Sequence, residues 1–307
     1  MTKIFIDGSA GTTGLRIRER LAGREGLDIL TLPEELRKDT EARRVALNSA
    51  DIAFLCLPDA AAREAVSLVD NPNTAIIDTS TAHRTADGWT YGFPEITGAD
   101  AIRGSKRIAN PGCHASGFVA LVAPLVKAGL IAADTKLTCF SLTGYSGGGK
   151  PMIAAYESED RDPLLDAPRQ YGLPQTHKHL PEMAKVCGLT YDPVFCPIVG
   201  DFYSGMEVTV PLHGSDLNGT IEDIKAAYRT TYIESPLVRF CVETDESGFM
   251  SAAAYSGRDD MEITVHGNED RILLTARFDN LGKGASGAAI QNMNILLGCD
   301  PTTGLVI

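Results

Sequence analysis

The first 21 residues carry the feature that most restricts the fold of this chain: a β-rich run, a glycine-rich loop and an amphipathic segment in immediate succession. The run Lys3-Ile4-Phe5-Ile6-Asp7 leads into Gly8-Ser9-Ala10-Gly11-Thr12-Thr13-Gly14, and charges interleave with apolar residues in 15–21. Strand, glycine loop and helix in this order begin the dinucleotide-binding folds, because glycines let the backbone approach a pyrophosphate at a helix N-terminus. The spacing is G-x-x-G-x-x-G, so the motif alone also fits an ordinary strand-to-helix turn.

Buried strands and helices continue to alternate through the first third of the chain. Strand-like runs cover residues 27–32, 50–58 and 74–80, and Asp59 follows the second run as the expected N-cap of an alanine-rich helix. This alternation predicts an α/β fold with an N-terminal Rossmann-like, doubly wound parallel sheet, whose ligands bind beyond the carboxyl ends of the strands. The residues expected at such ends are Ser9, Pro58, Ser80 and Cys113.

In the later part of the chain strand-like runs no longer alternate regularly with helices, and this change predicts a second domain. Strand-like runs recur with one helix candidate at 221–228 between them, and this pattern favours a mostly antiparallel α+β domain with one covered face. The segment 284–297 is first small and then apolar, and we expect it to pack back on the first domain. At 307 residues the chain is long enough for two cores. We predict a dinucleotide-binding domain of residues 1–112 and 283–307, and a second domain of residues 113–282.

Composition restricts the class of partner and the compartment. A formal charge of −12 that is spread along the chain argues against nucleic acid and anionic membranes as partners. The sequence has no apolar run of about 18 residues and no signal-like start, so we expect a soluble, cytoplasmic protein. Seven scattered cysteines without a C-x-x-C pair indicate neither a disulfide framework nor a metal site.

The segment Asn110-Pro111-Gly112-Cys113 places a thiol after a Pro-Gly turn, directly before an apolar run typical of a helix. Backbone N–H groups and the dipole at a helix N-terminus favour the nucleophilic thiolate, and the same groups can hold an oxyanion or a phosphate. The alternative is that Cys113 is a small apolar residue filling a gap. The segment from His177 to Glu182 contains two histidines and a carboxylate, which suit an acid or base that partners a thiolate.

Two further segments bear on phosphate and cofactor binding. The run from Gly144 to Lys150 has the P-loop form G-x-x-x-x-G-K, but Pro151 stands where a P-loop needs a hydroxyl, which argues against nucleotide hydrolysis. This run then predicts a loop that holds a substrate carboxylate or phosphate, or a plain turn between strands. Arg37 and Lys38 follow the second strand candidate, where a base favours NADP over NAD. Glu34 and Glu35 lie in the same segment and carry the opposite charge, and a solvated charged loop explains all four residues equally well.

Taken together, these motifs resemble the shorter form of the N-acetyl-γ-glutamyl-phosphate reductases of arginine biosynthesis, a family within the aspartate-semialdehyde dehydrogenase-like superfamily. The resemblance extends from end to end. It implies that the first predicted domain binds NADP(H) and that residues 113–282 form the catalytic, substrate-binding and oligomerisation domain. It also implies a small-molecule substrate that releases inorganic phosphate, and a homo-oligomer, either a dimer or a tetramer. The motifs that carry it are G-S-A-G-T-T-G at 8–14, Y-G-F-P-E at 91–95, N-P-G-C at 110–113, H-K-H-L-P-E at 177–182, D-N-L-G-K-G-A-S-G at 279–287 and Q-N-M-N at 291–294.

The resemblance also implies roles for residues of this sequence. Cys113 is the expected nucleophile that forms a thioester, with His179 or His177 as acid and base and Glu182 as a residue that orients the histidine. The expected cofactor-binding residues are Gly8, Ser9, Ala10, Gly11, Thr12, Thr13, Gly14, Pro58, Ser80 and Asn292. The expected substrate-binding residues are Arg84, Asn110, Ser146 and Lys150.

Two alternative functions fit part of the same pattern. A reductase of another acyl phosphate, such as aspartyl phosphate, would share the fold and the cysteine. A non-catalytic redox sensor would bind the dinucleotide and use Cys113 as a switch. Turnover that depends on an acyl phosphate distinguishes an enzyme from a sensor.

Overall fold

The computed structural model describes residues 1–242 and 246–307, and the described chain divides into two compact units. The first unit contains residues 1–112 and 285–305, and the second contains residues 113–284 and 306–307. Across these residues no helix is both long and apolar enough to span a bilayer. The helices are α1 Thr12–Leu21, α2 Thr40–Ser49, α3 Asp59–Ser67, α4 Pro94–Thr97, α5 Ala99–Arg103, α6 Cys113–Lys127, α7 Gly149–Tyr156, α8 Leu180–Cys187, α9 Ile221–Tyr232 and α10 Gly287–Leu296.

The first unit is built on a parallel sheet with the strand order β2-β1-β3-β4-β6-β5. Every strand pairing that the structure describes in this sheet is parallel, so the predicted Rossmann-like sheet is confirmed. The strands are β1 Thr2–Asp7, β2 Leu27–Leu30, β3 Ile52–Leu55, β4 Ala75–Asp78, β5 Thr90–Tyr91 and β6 Arg107–Ala109.

Side chains of successive strand residues enter two different cores, one on each face of the sheet. In β1, Ile4 and Ile6 join a cluster that includes Ile17 of α1 and Met293 of α10. The intervening Phe5 joins a second cluster with residues of α2 and α3. Because side chains alternate across a strand, one short apolar run can fill both cores. This explains why these strands are continuously apolar in the sequence, as the doubly wound fold requires.

The glycine loop between β1 and α1 can hold only glycine at two of its positions. Gly8 has φ of +86°, and a Cβ atom there would lie 2.2 Å from the carbonyl oxygen of Cys56. A Cβ on Gly14 would lie 2.4 Å from the carbonyl oxygen of Gly8. The loop therefore folds tightly over the end of β1, and α1 begins at Thr12.

Asp59 does not cap α3, so the sequence prediction for this residue was wrong. The helix begins at Asp59 itself, with Pro58 in the capping position. The Asp59 carboxylate instead accepts hydrogen bonds from the backbone N–H and the hydroxyl of Thr81, at 3.1 Å and 2.5 Å. It therefore ties the start of α3 to the segment that follows β4, a contact that no local pattern in the sequence signals.

The second unit contains a mixed sheet with the strand order β11-β12-β13-β10-β7-β9-β8. Within the described residues four of its pairings are antiparallel and two are parallel, which confirms the mostly antiparallel prediction. The strands are β7 Thr138–Gly144, β8 Arg169–Gln170, β9 Val194–Gly200, β10 Met206–His213, β11 Val238–Phe240, β12 Met261–Asn268 and β13 Arg271–Phe278.

Helix α6 is almost wholly buried and packs on β10 and β13. Its Pro124 has no N–H, so the carbonyl of Ala120 one turn earlier lacks its usual helical donor. The Tyr232 hydroxyl on α9 donates to this carbonyl at 2.7 Å, and the Tyr228 hydroxyl donates to the Leu121 carbonyl at 2.6 Å. Two tyrosines thus stabilise the helix that carries Cys113 at its first position.

Candidate active site

Cys113 is the first residue of α6 and is half-buried. This position confirms the predicted helix start, where unpaired backbone N–H groups and the helix dipole favour a negative charge. Gly284 packs against the cysteine so closely that a Cβ atom on it would lie 3.0 Å from the Cβ of Cys113. The loop that contains Gly284 therefore limits where the thiol can stand.

The residue after Cys113, His114, forms the centre of a cluster that sequence reasoning missed. Its Nδ1 lies 2.6 Å from Ser141 Oγ of β7, and its Nε2 lies 2.6 Å from the Tyr171 hydroxyl. Burial lowers the pKa of His114 to about 3, and the neighbouring His177 contributes further. His114 is therefore neutral at ordinary pH.

The two predicted histidines lie beside His114. Ring centroids of His177 and His179 are 5.7 Å and 5.6 Å from that of His114, and 4.7 Å from each other. His179 is buried, and His177 is half-buried. Since His114 directly follows Cys113 in α6, the structure brings both candidate acid–base residues to the start of the helix that bears the thiol. Glu182 is buried in the first turn of α8, three residues after His179.

Tyr171 joins the same cluster. Burial raises the pKa of its phenol, and the Cys113 thiol group adds to this effect because the two charges would repel. Tyr171 is therefore a neutral O–H group that interacts electrostatically with the nucleophile. The only sequence signal for it was a tyrosine near the His177 segment, which is too weak to select it.

A cleft of about 1040 Å³ lies in the first unit. It is lined by Gly8, Ser9 and Ala10 of the glycine loop and by Arg37 and Lys38 from the segment after β2. Another lining residue, Arg43, contacts the buried Asp7 carboxylate at 3.0 Å. Together with the cradle at Gly8 that a Cβ would fill, these residues fit a dinucleotide whose phosphates face the loop.

The other predicted cofactor residues have varied environments. Thr12, Thr13 and Gly14 form the start of α1, after Gly11. Pro58 precedes α3. The Ser80 hydroxyl donates to Asp78 at 2.7 Å and is buried.

Two predicted site residues, Asn292 and Asn110, meet in the first unit. The Asn292 amide nitrogen donates to the Gly92 carbonyl at 2.9 Å and to Asn110 Oδ1 at 3.3 Å. The buried Oδ1 of Asn292 has no hydrogen-bond partner in the described chain. A buried amide oxygen of this kind is typical of a polar site rather than of a core.

The predicted substrate residues are divided between the two units, with Arg84 and Asn110 in the first and Ser146 and Lys150 in the second. The Arg84 guanidinium donates to the carbonyls of Asn110 and Thr79, at 2.9 Å and 3.0 Å. Ser146 is buried and accepts a hydrogen bond from Asn280 at 3.0 Å, whereas Lys150 is exposed in α7. The Gly144–Lys150 run is also not a plain turn between strands, because a 3₁₀ segment and α7 follow β7.

No group of three metal-ligating side chains occurs among the residues with assigned structure. All seven cysteines lie outside disulfides in the same set.

Known proteins are similar to this chain over nearly its whole length. Residues 19–105 match a family model described as the semialdehyde dehydrogenase NAD-binding domain, and residues 113–280 match the semialdehyde dehydrogenase dimerisation domain. The N-acetyl-gamma-glutamyl-phosphate reductase of Mesorhizobium japonicum is 46% identical, over 96% of this chain and 99% of the relative. The chain belongs to the N-acetyl-γ-glutamyl-phosphate reductase family. It is therefore an oxidoreductase with an NAD(P)-binding domain, and the resemblance inferred from the motifs is confirmed.

Other members of the N-acetyl-γ-glutamyl-phosphate reductase family match equally well. N-acetyl-gamma-glutamyl-phosphate reductase 2 of a Nostoc species is 44% identical, over 99% of each chain. Among solved structures, aspartate semialdehyde dehydrogenase II of Vibrio cholerae has a TM-score of 0.72 at 15% identity, with 97% of this chain and 98% of that chain covered. Identity this low supports the fold alone. The structural match agrees with the two sheets described above.

Proposed function

We propose that this chain reduces N-acetyl-γ-glutamyl phosphate to N-acetylglutamate 5-semialdehyde and inorganic phosphate, with NADPH as hydride donor, in arginine biosynthesis. The observation that carries the proposal is the position of Cys113. It is the first residue of α6 and precedes a buried neutral imidazole, in a chain 46% identical to a reductase of that name. The curated relatives favour this substrate over aspartyl phosphate, because N-acetyl-gamma-glutamyl-phosphate reductases of two organisms are 46% and 44% identical over nearly the whole chain.

The first step is nucleophilic attack by Cys113. The thiolate sulfur forms a bond to the γ-carbonyl carbon, and the carbonyl electron pair moves to oxygen. As this pair returns, the bond from carbon to the phosphate oxygen breaks, phosphate leaves with the bonding electrons, and a thioester remains on Cys113. Backbone N–H groups in the first turn of α6 stabilise the oxyanion between these two events.

NADPH supplies the hydride for the thioester carbonyl when it is bound. His179 or His177 then exchanges a proton with the oxygen of the thiohemiacetal on Cys113. When the C–S bond breaks, the semialdehyde leaves and the thiolate is restored. Glu182, buried three residues after His179, orients the acid–base histidine.

Within the first unit, we propose that the cleft binds NADP rather than NAD. Arg37 and Lys38 line it together with Glu34 and Glu35. The two basic side chains would pair with a 2′-phosphate, as a base does at this position in dinucleotide folds. Asn292 would face the nicotinamide half, and its buried Oδ1 would then accept a hydrogen bond.

We also propose that two copies associate through one face of the second sheet, as a dimer or within a tetramer, in the cytoplasm. The face opposite the helices exposes large apolar side chains from three strands, and these lie in a region that matches a dimerisation domain. A monomer rarely leaves such residues in solvent as a group. They are Phe140, Val194 and Leu273.

The test runs the reaction backward, because acyl phosphates hydrolyse readily. N-acetylglutamate 5-semialdehyde, phosphate and NADP are mixed with wild type or Cys113→Ser, and NADPH absorbance is followed. We expect phosphate-dependent NADPH formation that the variant loses. Arg37→Ala combined with Lys38→Ala should weaken NADP binding about tenfold or more and leave NAD binding almost unchanged.

Three outcomes would contradict parts of the proposal. Turnover with aspartate semialdehyde alone would assign a different acyl phosphate. No NADPH formation with either aldehyde, together with measurable dinucleotide binding, would favour the redox sensor. Equal loss of NADP and NAD affinity in the Arg37 and Lys38 double variant would remove the case for the 2′-phosphate.

A further inference from the structure

The buried His114 connects two hydroxyl groups that come from distant parts of the second unit. Ser141 belongs to β7 and Tyr171 follows β8, yet both lie 2.6 Å from the imidazole, one at each ring nitrogen. A neutral imidazole carries one proton, so one nitrogen donates and the other accepts. The two hydroxyls are therefore not equivalent, and the tautomer of His114 decides their roles.

Ser141 determines which tautomer is favourable. Its side chain is fully buried, and within the described chain His114 Nδ1 is the hydrogen-bond partner of its hydroxyl. If Nδ1 carried the proton, Ser141 would only accept, and its own buried O–H would lack an acceptor. Buried donors are rarely left unsatisfied. Ser141 therefore donates to Nδ1, and the imidazole proton lies on Nε2.

The Nε2 proton in turn fixes the phenol of Tyr171. An N–H at Nε2 donates to the Tyr171 oxygen. The phenolic O–H therefore cannot donate to His114 and points toward another acceptor. Burial and the nearby Cys113 charge raise the pKa of this phenol, which keeps its proton in place at working pH. Tyr171 is therefore a neutral donor next to the nucleophile.

We infer that Ser141 and His114 form a relay that positions the Tyr171 hydroxyl to donate a hydrogen bond to the Cys113 sulfur. This inference rests on the proposed function. Ser141 and His114 act as positioning residues, and Tyr171 is the group that touches the reacting atoms. The rings of His177 and His179 also pack on His114, so a change in the position of the His114 ring alters the surroundings of the other two imidazoles.

The first test measures the tautomer directly. Long-range ¹H–¹⁵N correlation spectra of ¹⁵N-labelled wild type distinguish the two ring nitrogens, and His114→Gln assigns the signals. We expect a neutral His114 ring with its proton on Nε2, and a loss of this preference in Ser141→Ala. A proton on Nδ1 in wild type would overturn the inference.

The second test measures the thiol. The pH dependence of iodoacetamide alkylation at Cys113 is followed by peptide mass spectrometry, without substrate or cofactor. A hydrogen-bond donor stabilises the thiolate, so Tyr171→Phe should move the alkylation midpoint up by about one pH unit. Ser141→Ala should move it in the same direction, and the double variant should show no larger shift than Tyr171→Phe alone.

Two variants serve as controls. Ser141→Thr keeps a hydroxyl and should restore the wild-type midpoint, which a purely steric role of Ser141 would not explain. Tyr191→Phe removes an exposed phenol of the same unit and should leave the midpoint unchanged. An unchanged midpoint in Tyr171→Phe, or fully additive shifts in the double variant, would overturn the relay.

The alkylation result and the enzyme assay fail separately. If wild type turns over no acyl phosphate while Tyr171→Phe still shifts the midpoint, the proposed function is wrong and the relay stands. If wild type turns over and the midpoint does not move, the relay is wrong and the function stands.

Discussion

His114 is held as a neutral base by its surroundings rather than by its own chemistry. Burial lowers its pKa to about 3, and the nearby His177 ring adds to the shift because two positive imidazoles would repel. An unfolded histidine titrates near 6.5. Between these two pH values the unfolded chain therefore binds a proton that the folded site rejects.

This difference predicts a loss of stability in acid. The free energy of unfolding should fall as the pH drops from about 6.5 toward about 3, with His114 contributing up to about 1.4 kcal/mol per pH unit. His114→Gln cannot titrate, so its unfolding free energy should vary less steeply over this range. Urea unfolding of wild type and variant at several pH values measures the two slopes. Equal slopes would mean that His114 is protonated in the folded protein.

The same site shows how far a sequence can be interpreted one residue at a time. Cys113 was identified because its signal is local: a turn, a thiol and an apolar run are consecutive. Ser141 and Tyr171 carry no local signal, since their importance arises only when β7 and the segment after β8 meet at His114. His114 itself was passed over because it lies inside an apolar run, where a histidine is usually a packed core residue.

The segment from Asp279 to Gly287 joins β13 to α10 and is held by buried polar groups. The Asp279 carboxylate accepts hydrogen bonds from the backbone N–H groups of Gly257 and Leu281, at 2.5 Å and 2.7 Å. Asn280 accepts the Gly205 N–H at 3.0 Å. Fixed at its start in this way, the segment has little freedom to move away from Cys113 where Gly284 approaches it.

A methyl group at Gly284 should therefore disturb catalysis more than folding. In Gly284→Ala the new Cβ would lie 3.0 Å from the Cβ of Cys113 and 3.2 Å from the Asp279 carbonyl oxygen, so the thiol must shift. Because misplacing a reacting group by about 1 Å costs about a hundredfold in rate, a displacement of a few tenths of an ångström should lower the rate several-fold. Initial rates of the reverse reaction measure this loss, and the alkylation rate of Cys113 should change as well.

Gly104→Ala is the matched control for this substitution. Its new Cβ would lie 3.3 Å from the Asp100 carbonyl oxygen at the end of α5, in ordinary helical backbone. We expect wild-type rates from it. If Gly284→Ala also keeps wild-type rates, the close approach at Cys113 does not determine the position of the thiol.

The two sheets differ in how well the sequence predicts them. In the first sheet strand type was predictable, because continuous apolar runs indicate parallel strands. In the second sheet the antiparallel pairings were predictable, but the parallel pairings of β7 with β9 and of β11 with β12 were not. Strand order was predictable in neither sheet, since the placement of β5 at one edge and of β11 beside β12 depends on contacts between residues far apart in the chain. Pairings such as Asp59 with Thr81 escaped prediction for the same reason.

Helix α10 completes the core of the first unit although it lies far from the rest of that unit in the sequence. Met293 is fully buried in the cluster that contains Ile4 and Ile17. Met293→Ala should therefore destabilise the first unit by about 2–5 kcal/mol. Hydrogen exchange by mass spectrometry should show faster exchange in β1 and β3 and little change in β10 and β13. Uniform acceleration throughout the described chain would show that the two units unfold together.

The interrupted path of the chain through the first unit also has a consequence during synthesis. The ribosome releases residues 1–112 first, but the sheet they form cannot close its core until residues 285–305 have emerged. The second unit needs almost nothing beyond residue 284 and is complete earlier. Until α10 arrives, Ile4, Ile17 and their neighbours present an open apolar surface on a nascent chain, which is the kind of surface that chaperones bind.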